Sequence, residues 1–291
     1  MQLDGRRQST NVDDRRGSGS TGKVVGGVGL GGLIVMGLIT LLMGGNLGDV
    51  IQMAGPVLAD SNTTVATNWT PTAEEEELAV FAKQILAGTE DVWTKIFREQ
   101  LGRTYIPPKL VLFSGAVQSA CGGATSQSGP FYCSGDQCVY LDLDFFMNMK
   151  EQIGADGDFA YAYVIAHEVG HHVQALLGDL TQAHNQMARM SEKQSNQMSV
   201  RLELQADFYA GIWAYYDNQM FRSLENGDIE EGLAVASKIG DDYLEKQAYG
   251  YSVPDSFTHG TSAQRTRWLK KGVTTGNLRL GDTFSPAYES L

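Results

Sequence analysis

The feature that most constrains this chain is a run of twenty residues without a charge, 24–43 (VVGGVGLGGLIVMGLITLLM), with Lys23 just before it and Asp49 the next charged residue after it. At about 1.5 Å per residue a helix of that length spans about 30 Å, the hydrocarbon thickness of a bilayer. The run is apolar all round, which argues against an amphipathic helix packed on a soluble core. The residues before it include Arg6, Arg7, Arg15, Arg16 and Lys23 against Asp4, Asp13 and Asp14, so this piece carries +2 of a total of −12. Basic flanks stay cytoplasmic. The expectation is therefore a cytoplasmic tail (1–23), one transmembrane helix (24–43), a linker (44–71) rich in Gly, Asn and Thr, and a single extracytoplasmic domain (72–291). A cleaved export signal ending near Val57-Leu58-Ala59 is the competing reading, and it exports the same domain. Gly27 and Gly31 carry the spacing of a helix-pairing motif, a weak signal in a chain with 34 Gly.

Composition excludes several classes. Hydrophobic residues make up 42%, enough for a packed core. The acidic balance excludes a general nucleic-acid binder, which needs clustered Lys and Arg. Three Cys, at 121, 133 and 138, are too few for a disulfide-stapled miniprotein, and no Cys-x-x-Cys pair suggests a metal. In an exported domain they permit one bridge in three ways.

Thr72 followed by Glu75 forms a capping-box signature. Leu78, Phe81, Ile85, Val92, Trp93 and Ile96 then recur at helical spacing. A β region follows, Lys109 to Ser114 and then Phe131 to Leu143 around a Ser134-Gly135-Asp136 turn. From Asp144 the pattern is mostly helical, with an irregular stretch from Tyr249 to Gly260 and a helix starting near Thr261.

The chemistry lies in residues 156–178, DGDFAYAYVIAHEVGHHVQALLG, which read as one helix closed by Gly178. His167-Glu168-Val169-Gly170-His171 places two imidazoles one turn apart on one face, where both can reach a single Zn²⁺. Glu168, rotated by about 100°, can take the proton of a water at the open position. Glu203-x-x-x-Asp207, in RLELQAD on a second predicted helix, supplies the third ligand, Glu203, and a carboxylate, Asp207, to hold the other ring nitrogen of His167. A connecting helix is expected over Leu180 to Met198.

HEVGHHVQALLG with ELQAD resembles a gluzincin arrangement. GPFYC, GADGDFAYAYVIAHEVGHHVQ, RLELQAD, IGDDYL, VPDSFTHGTSAQR and the opening GRRQSTNVDDRR resemble the neutral zinc metallopeptidase family of bacterial membrane proteins. The resemblance implies a protein of the bacterial inner membrane with an extracytoplasmic zincin-like domain, and it favours Cys121–Cys133 as the bridge. Relatives with Cys directly after the Ala-Asp pair differ from this chain, which has Phe208 there. Thr258-His259-Gly260 and Arg265 resemble a Thr-His-Pro and Arg spacing of HtpX-like and CAAX-protease gluzincins. That likeness implies that His259 donates to the oxyanion and that Arg265 holds Glu203 or Asp207. His172 reads as a supporting residue and His184 as a solvated one.

The expected fold is α+β: a mostly helical zincin-like domain with a small antiparallel sheet, preceded by a membrane helix. The expected activity is hydrolysis of protein or peptide substrates, with His167, His171 and Glu203 as zinc ligands and Glu168 as base. The alternatives are a catalytically silent zinc scaffold or chaperone, and a hydrolase of non-peptide amides.

Overall fold

The structure is a computed structural model that describes residues 1–17, 70–154 and 157–291. The apolar run 24–43, the remainder of the linker up to residue 69, the Val57-Leu58-Ala59 site, the Gly27 and Gly31 pair and Asp156 lie outside the described residues. Among the described residues no helix is long and apolar enough to cross a membrane.

Helix α1 (Ala73–Ile96) starts at the expected capping box: Thr72 Oγ1 accepts from the Glu75 N–H at 3.1 Å, and Glu75 Oε2 accepts from the Thr72 N–H at 2.6 Å. Glu74, Glu75 and Glu76 occupy its first turn, where the helix dipole favours negative charge. Ala79, Ala82, Ile85, Leu86, Val92, Trp93 and Ile96 form the buried face.

The principal sheet is mixed, not the small antiparallel one expected. Its order is β1 (Val12–Asp14), β2 (Lys109–Phe113), β6 (Cys138–Asp142), β5 (Phe131–Cys133), and β3 (Ala116–Ser119) and β4 (Gly122–Thr125) form a separate hairpin. The antiparallel β5–β6 pair sits around the expected turn, whereas β1–β2 and β2–β6 are parallel. Parallel partners are distant in the chain, so no local turn announces them. Every residue of β6 is buried, as befits a strand covered on both faces.

The division between a tail (1–23) and the domain is corrected by this sheet. Residues 1–17 belong to the domain: β1 is its edge strand, and Arg6 pairs with Asp217 on a distant helix. The positive charge of this segment is taken up by ion pairs and does not mark a free tail.

Among the described residues seven α-helices follow: α2 (Asp144–Ile153), α3 (Asp158–Leu177), α4 (Asp179–Met187), α5 (Glu192–Phe221), α6 (Asp228–Lys238), α7 (Asp241–Tyr249) and α8 (Ser262–Thr275). The single connecting helix expected over Leu180 to Met198 is in fact the short α4 and the start of the long α5. Ser191 caps α5 through a capping box with Gln194, and this restarts the helix after residues 188–190. Helix α8 begins with an equivalent box between Thr261 and Gln264.

Three close approaches bring the site-bearing helices together. A Cβ on Gly170 of α3 would sit 2.9 Å from the Ala206 carbonyl oxygen of α5. One on Gly272 of α8 would sit 2.2 Å from the Phe208 carbonyl oxygen, and one on Gly211 of α5 would sit 2.4 Å from that of Leu269. Cys121 and Cys133 form the disulfide, leaving Cys138 as a buried thiol.

Two stability predictions follow from this packing. Gly272→Ala should force α8 away from α5 and cost about 1–3 kcal/mol in urea unfolding; an unchanged midpoint would refute the close approach. Replacing Cys121 and Cys133 by Ser opens a loop with a sequence separation of 12 residues, and should cost about 3 kcal/mol on the chain-entropy account, read from the same curves.

Candidate metal centre

Helix α3 carries His167, Glu168 and His171 within little more than one turn, and α5 carries Glu203 and Asp207 one turn apart. The contact of Gly170 with Ala206 lets the two backbones come close enough for these short side chains to meet. Glu203 Oε2 lies 3.1 Å from His167 Nε2, and its Oε1 lies 3.5 Å from His171 Nε2. One ligand atom from each of the three residues falls within 4.8 Å of the others.

The other ring nitrogens fix which lone pairs face this space. His167 Nδ1 is 2.8 Å from Asp207 Oδ1, a close contact that is bent away from an ideal hydrogen bond. His171 Nδ1 is 2.9 Å from Gln174 Oε1. The Gln174 amide is oriented because its nitrogen donates to the Leu202 carbonyl at 2.6 Å and to Gln205 Oε1 at 3.0 Å. Both acceptors call for an N–H at Nδ1, which leaves Nε2 of each imidazole as the free donor atom.

Behind this shell, Asp207 is fully buried and receives more than one residue. Tyr163 Oη donates to Oδ1 at 2.6 Å, and Arg265 donates through Nε to Oδ2 and through Nη2 to Oδ1, both at 2.9 Å. Burial alone would raise the Asp207 pKa, but Arg265 and His167 outweigh it and bring it down to about 2. Of the two carboxylates expected for Arg265, it takes Asp207.

Burial acts on the ligands too. It opposes the charge of His167, yet Asp207 and Glu203 push that imidazole up to about 10. It also opposes the charge of Glu203, whose carboxyl is nonetheless held well below the usual range by His171, His167 and His259. The His171 pKa is lowered by burial. A proton on His167 thus balances Glu203 at a place where a cation would do the same. Two imidazole nitrogens and a carboxylate oxygen, with a position left over, form the donor set of a catalytic zinc site. The residues present fit the ion.

Glu168 is buried beside this group, and burial pushes its pKa up to about 7 against the pull of His167. The Tyr132 backbone N–H, on the edge strand β5, lies close enough to favour its ionised form.

His259 arrives from the loop before α8. Its Nδ1 lies 3.1 Å from Asp241 Oδ1, while Asp241 Oδ2 accepts from the backbone N–H groups of Thr258, His259 and Gly260 at 2.8, 2.7 and 3.0 Å. Burial works against charge on His259, but Asp241 and Glu203 raise its pKa. The sequence marked Asp241 only as part of the IGDDYL stretch of the family resemblance, with no role attached to it. Gly260 has φ of +95°, which a proline, locked near −65°, cannot adopt. Its departure from the Thr-His-Pro pattern is therefore a difference in backbone.

His172 is fully buried. Its Nε2 donates to the Ile106 carbonyl at 2.7 Å, so Nδ1 accepts from Tyr132 Oη at 3.0 Å, which pins β5 to α3. His184 is exposed on α4.

No solved structure matches the chain at a significant level. The protein YpfJ of Escherichia coli is 45% identical over 290 residues, covering 98% of this chain and 99% of its own. Rv2575 of Mycobacterium tuberculosis is 43% identical over 193 residues, 63% of this chain and 64% of its own. The family model described as "Putative neutral zinc metallopeptidase" matches residues 1–284. With two imidazoles and a carboxylate gathered on neighbouring helices and this match along nearly its whole length, the chain belongs to that zinc metallopeptidase family.

Proposed function

We propose that this protein is a zinc metalloendopeptidase that cleaves peptide bonds in protein or peptide substrates. The observation that carries the reading is Glu168. A purely structural zinc site requires only its ligands, yet here a buried carboxyl stands one residue from a ligand, with its pKa raised to about 7. Burying an acid without a charged partner costs stability, which favours a chemical use for it.

His167, His171 and Glu203 would hold the zinc, which would supply Lewis acidity toward the scissile carbonyl and the attacking water. Glu168 takes the proton of that water and later passes it to the leaving amine. Asp207, fixed by Arg265 and Tyr163, keeps His167 in the tautomer that offers Nε2 to the metal. His259, oriented by Asp241, donates to the oxyanion of the tetrahedral intermediate. The substrate adds as an extended strand along the open edge of β5, where the Tyr132 N–H already faces Glu168.

Glu168→Gln in the full chain should keep zinc while cleavage of an unfolded protein falls by about a hundredfold to ten-thousandfold. Undiminished cleavage would remove Glu168 from the reaction, and a folded, zinc-loaded wild type that cleaves nothing would favour the silent scaffold. Glu203→Ala should lose zinc under a chelator concentration that leaves the wild type loaded; equal retention would take Glu203 out of the ligand set. Because the base must be ionised, kcat/KM should rise with pH through an acid limb at or below about 7, bound cation favouring the carboxylate. Glu168→Gln should abolish that limb in its residual activity, and an identical profile would contradict the assignment.

A further inference from the structure

We propose that residues 1–17 are a permanently docked part of the peptidase domain and share its compartment. This inference stands independently of the catalytic reading. It rests on backbone pairing, on buried charge and on the proximity of the two chain ends that flank residues 18–69.

Strand β1 pairs in parallel with β2 at Val12 with Leu110, Asp13 with Val111 and Asp14 with Leu112. The Leu110 N–H donates to the Asn11 carbonyl and the Arg15 N–H to the Leu112 carbonyl, both at 2.8 Å. Leu110, Val111 and Leu112 are fully buried. Removing the segment would leave this edge with unpaired backbone groups beside an uncovered apolar surface.

Buried charge gives the second argument. Arg6 grips Asp217 with a two-pronged contact, Nη1 to Oδ2 at 3.1 Å and Nη2 to Oδ1 at 2.8 Å, and Asp217 is only 1% exposed. Glu90, also buried, accepts from Ser9 Oγ at 2.6 Å and Asn11 Nδ2 at 2.8 Å, and pairs with Arg7 at 2.9 Å. Both carboxylates belong to the helical body, and both are satisfied by residues 6–11. A buried carboxylate stripped of such partners is strongly destabilising. The arginines that would mark a cytoplasmic tail are held in pairs: Arg6 with Asp217, Arg7 with Glu90 and Asp91, Arg15 with Asp13, Arg16 with Asp14 and Glu76.

Arg16 donates to the Glu75 carbonyl at 3.2 Å and to the Glu76 carboxylate at 3.0 Å, so the chain leaves at residue 17 and returns at residue 70 on the same side of the domain. A single bilayer crossing would put about 30 Å of hydrocarbon between residues that touch here.

Gln8 and Lys193 are both exposed, one in each part. Full chains carrying Gln8→Cys or Lys193→Cys, expressed in bacterial spheroplasts, are treated with a membrane-impermeant maleimide before and after permeabilisation, with the unsubstituted chain as background. The two positions should show the same accessibility, both labelled or both protected; one labelled and the other protected until permeabilisation overturns the proposal. In the purified full chain, Arg6→Glu and Asp217→Arg should each lower the denaturation midpoint, and the double variant should recover most of the loss. No loss with Arg6→Glu, or no recovery on combining the two, also overturns it.

Discussion

The carboxylate of Asp207 is the point on which the rest of this structure turns. It is fully buried on α5 and holds partners from both neighbouring helices: Tyr163 and His167 from α3, and Arg265 from α8. A charge in that position is tolerated only while its partners stay in place, since removing one partner of a buried pair costs about 3–5 kcal/mol. The small residues explain how the partners reach it. Gly170 against Ala206 and Gly272 against Phe208 bring backbones into contact, so the side chains of three helices converge on one atom group. The geometry of the metal ligands is thus set by a network behind them. His167 is aimed by Asp207, and Asp207 is aimed by Arg265.

Much of this centre was legible in the sequence because its parts are local. A helix has a fixed period, so His-Glu-x-x-His determines a face, and Glu-x-x-x-Asp determines a second face. The capping box at Thr72 and the start of α8 near Thr261 were legible for the same reason, as was the β5–β6 hairpin. Ser191 and Gln194 carried an equal signal that would have divided the helix expected over Leu180 to Met198. The Cys121–Cys133 bridge came only from family resemblance, since spacing alone left three pairings open.

What was not legible is non-local. Asp241 serves His259 across a loop closed by three backbone hydrogen bonds, a role that the IGDDYL stretch of the family resemblance does not reveal. The parallel pairing of β1 with β2 joins residues about one hundred positions apart, which no turn residue announces. The same pairing changes the meaning of the arginines near the start. Counted along the chain they resemble a topological signal; in the fold Arg6 and Arg7 neutralise carboxylates buried in α5 and α1, and Arg15 and Arg16 pair with Asp13 and Asp14. Charge bias reports membrane orientation when the charges are solvated, and these are spent in contacts.

The central claim is that one zinc ion binds between His167, His171 and Glu203. X-ray absorption at the zinc edge of the loaded full chain tests it most directly. The account predicts a shell of nitrogen and oxygen only, at about 2.0–2.2 Å, with the multiple-scattering signature of two imidazoles. A sulfur scatterer at about 2.3 Å, or a spectrum unchanged by His171→Ala, would contradict it.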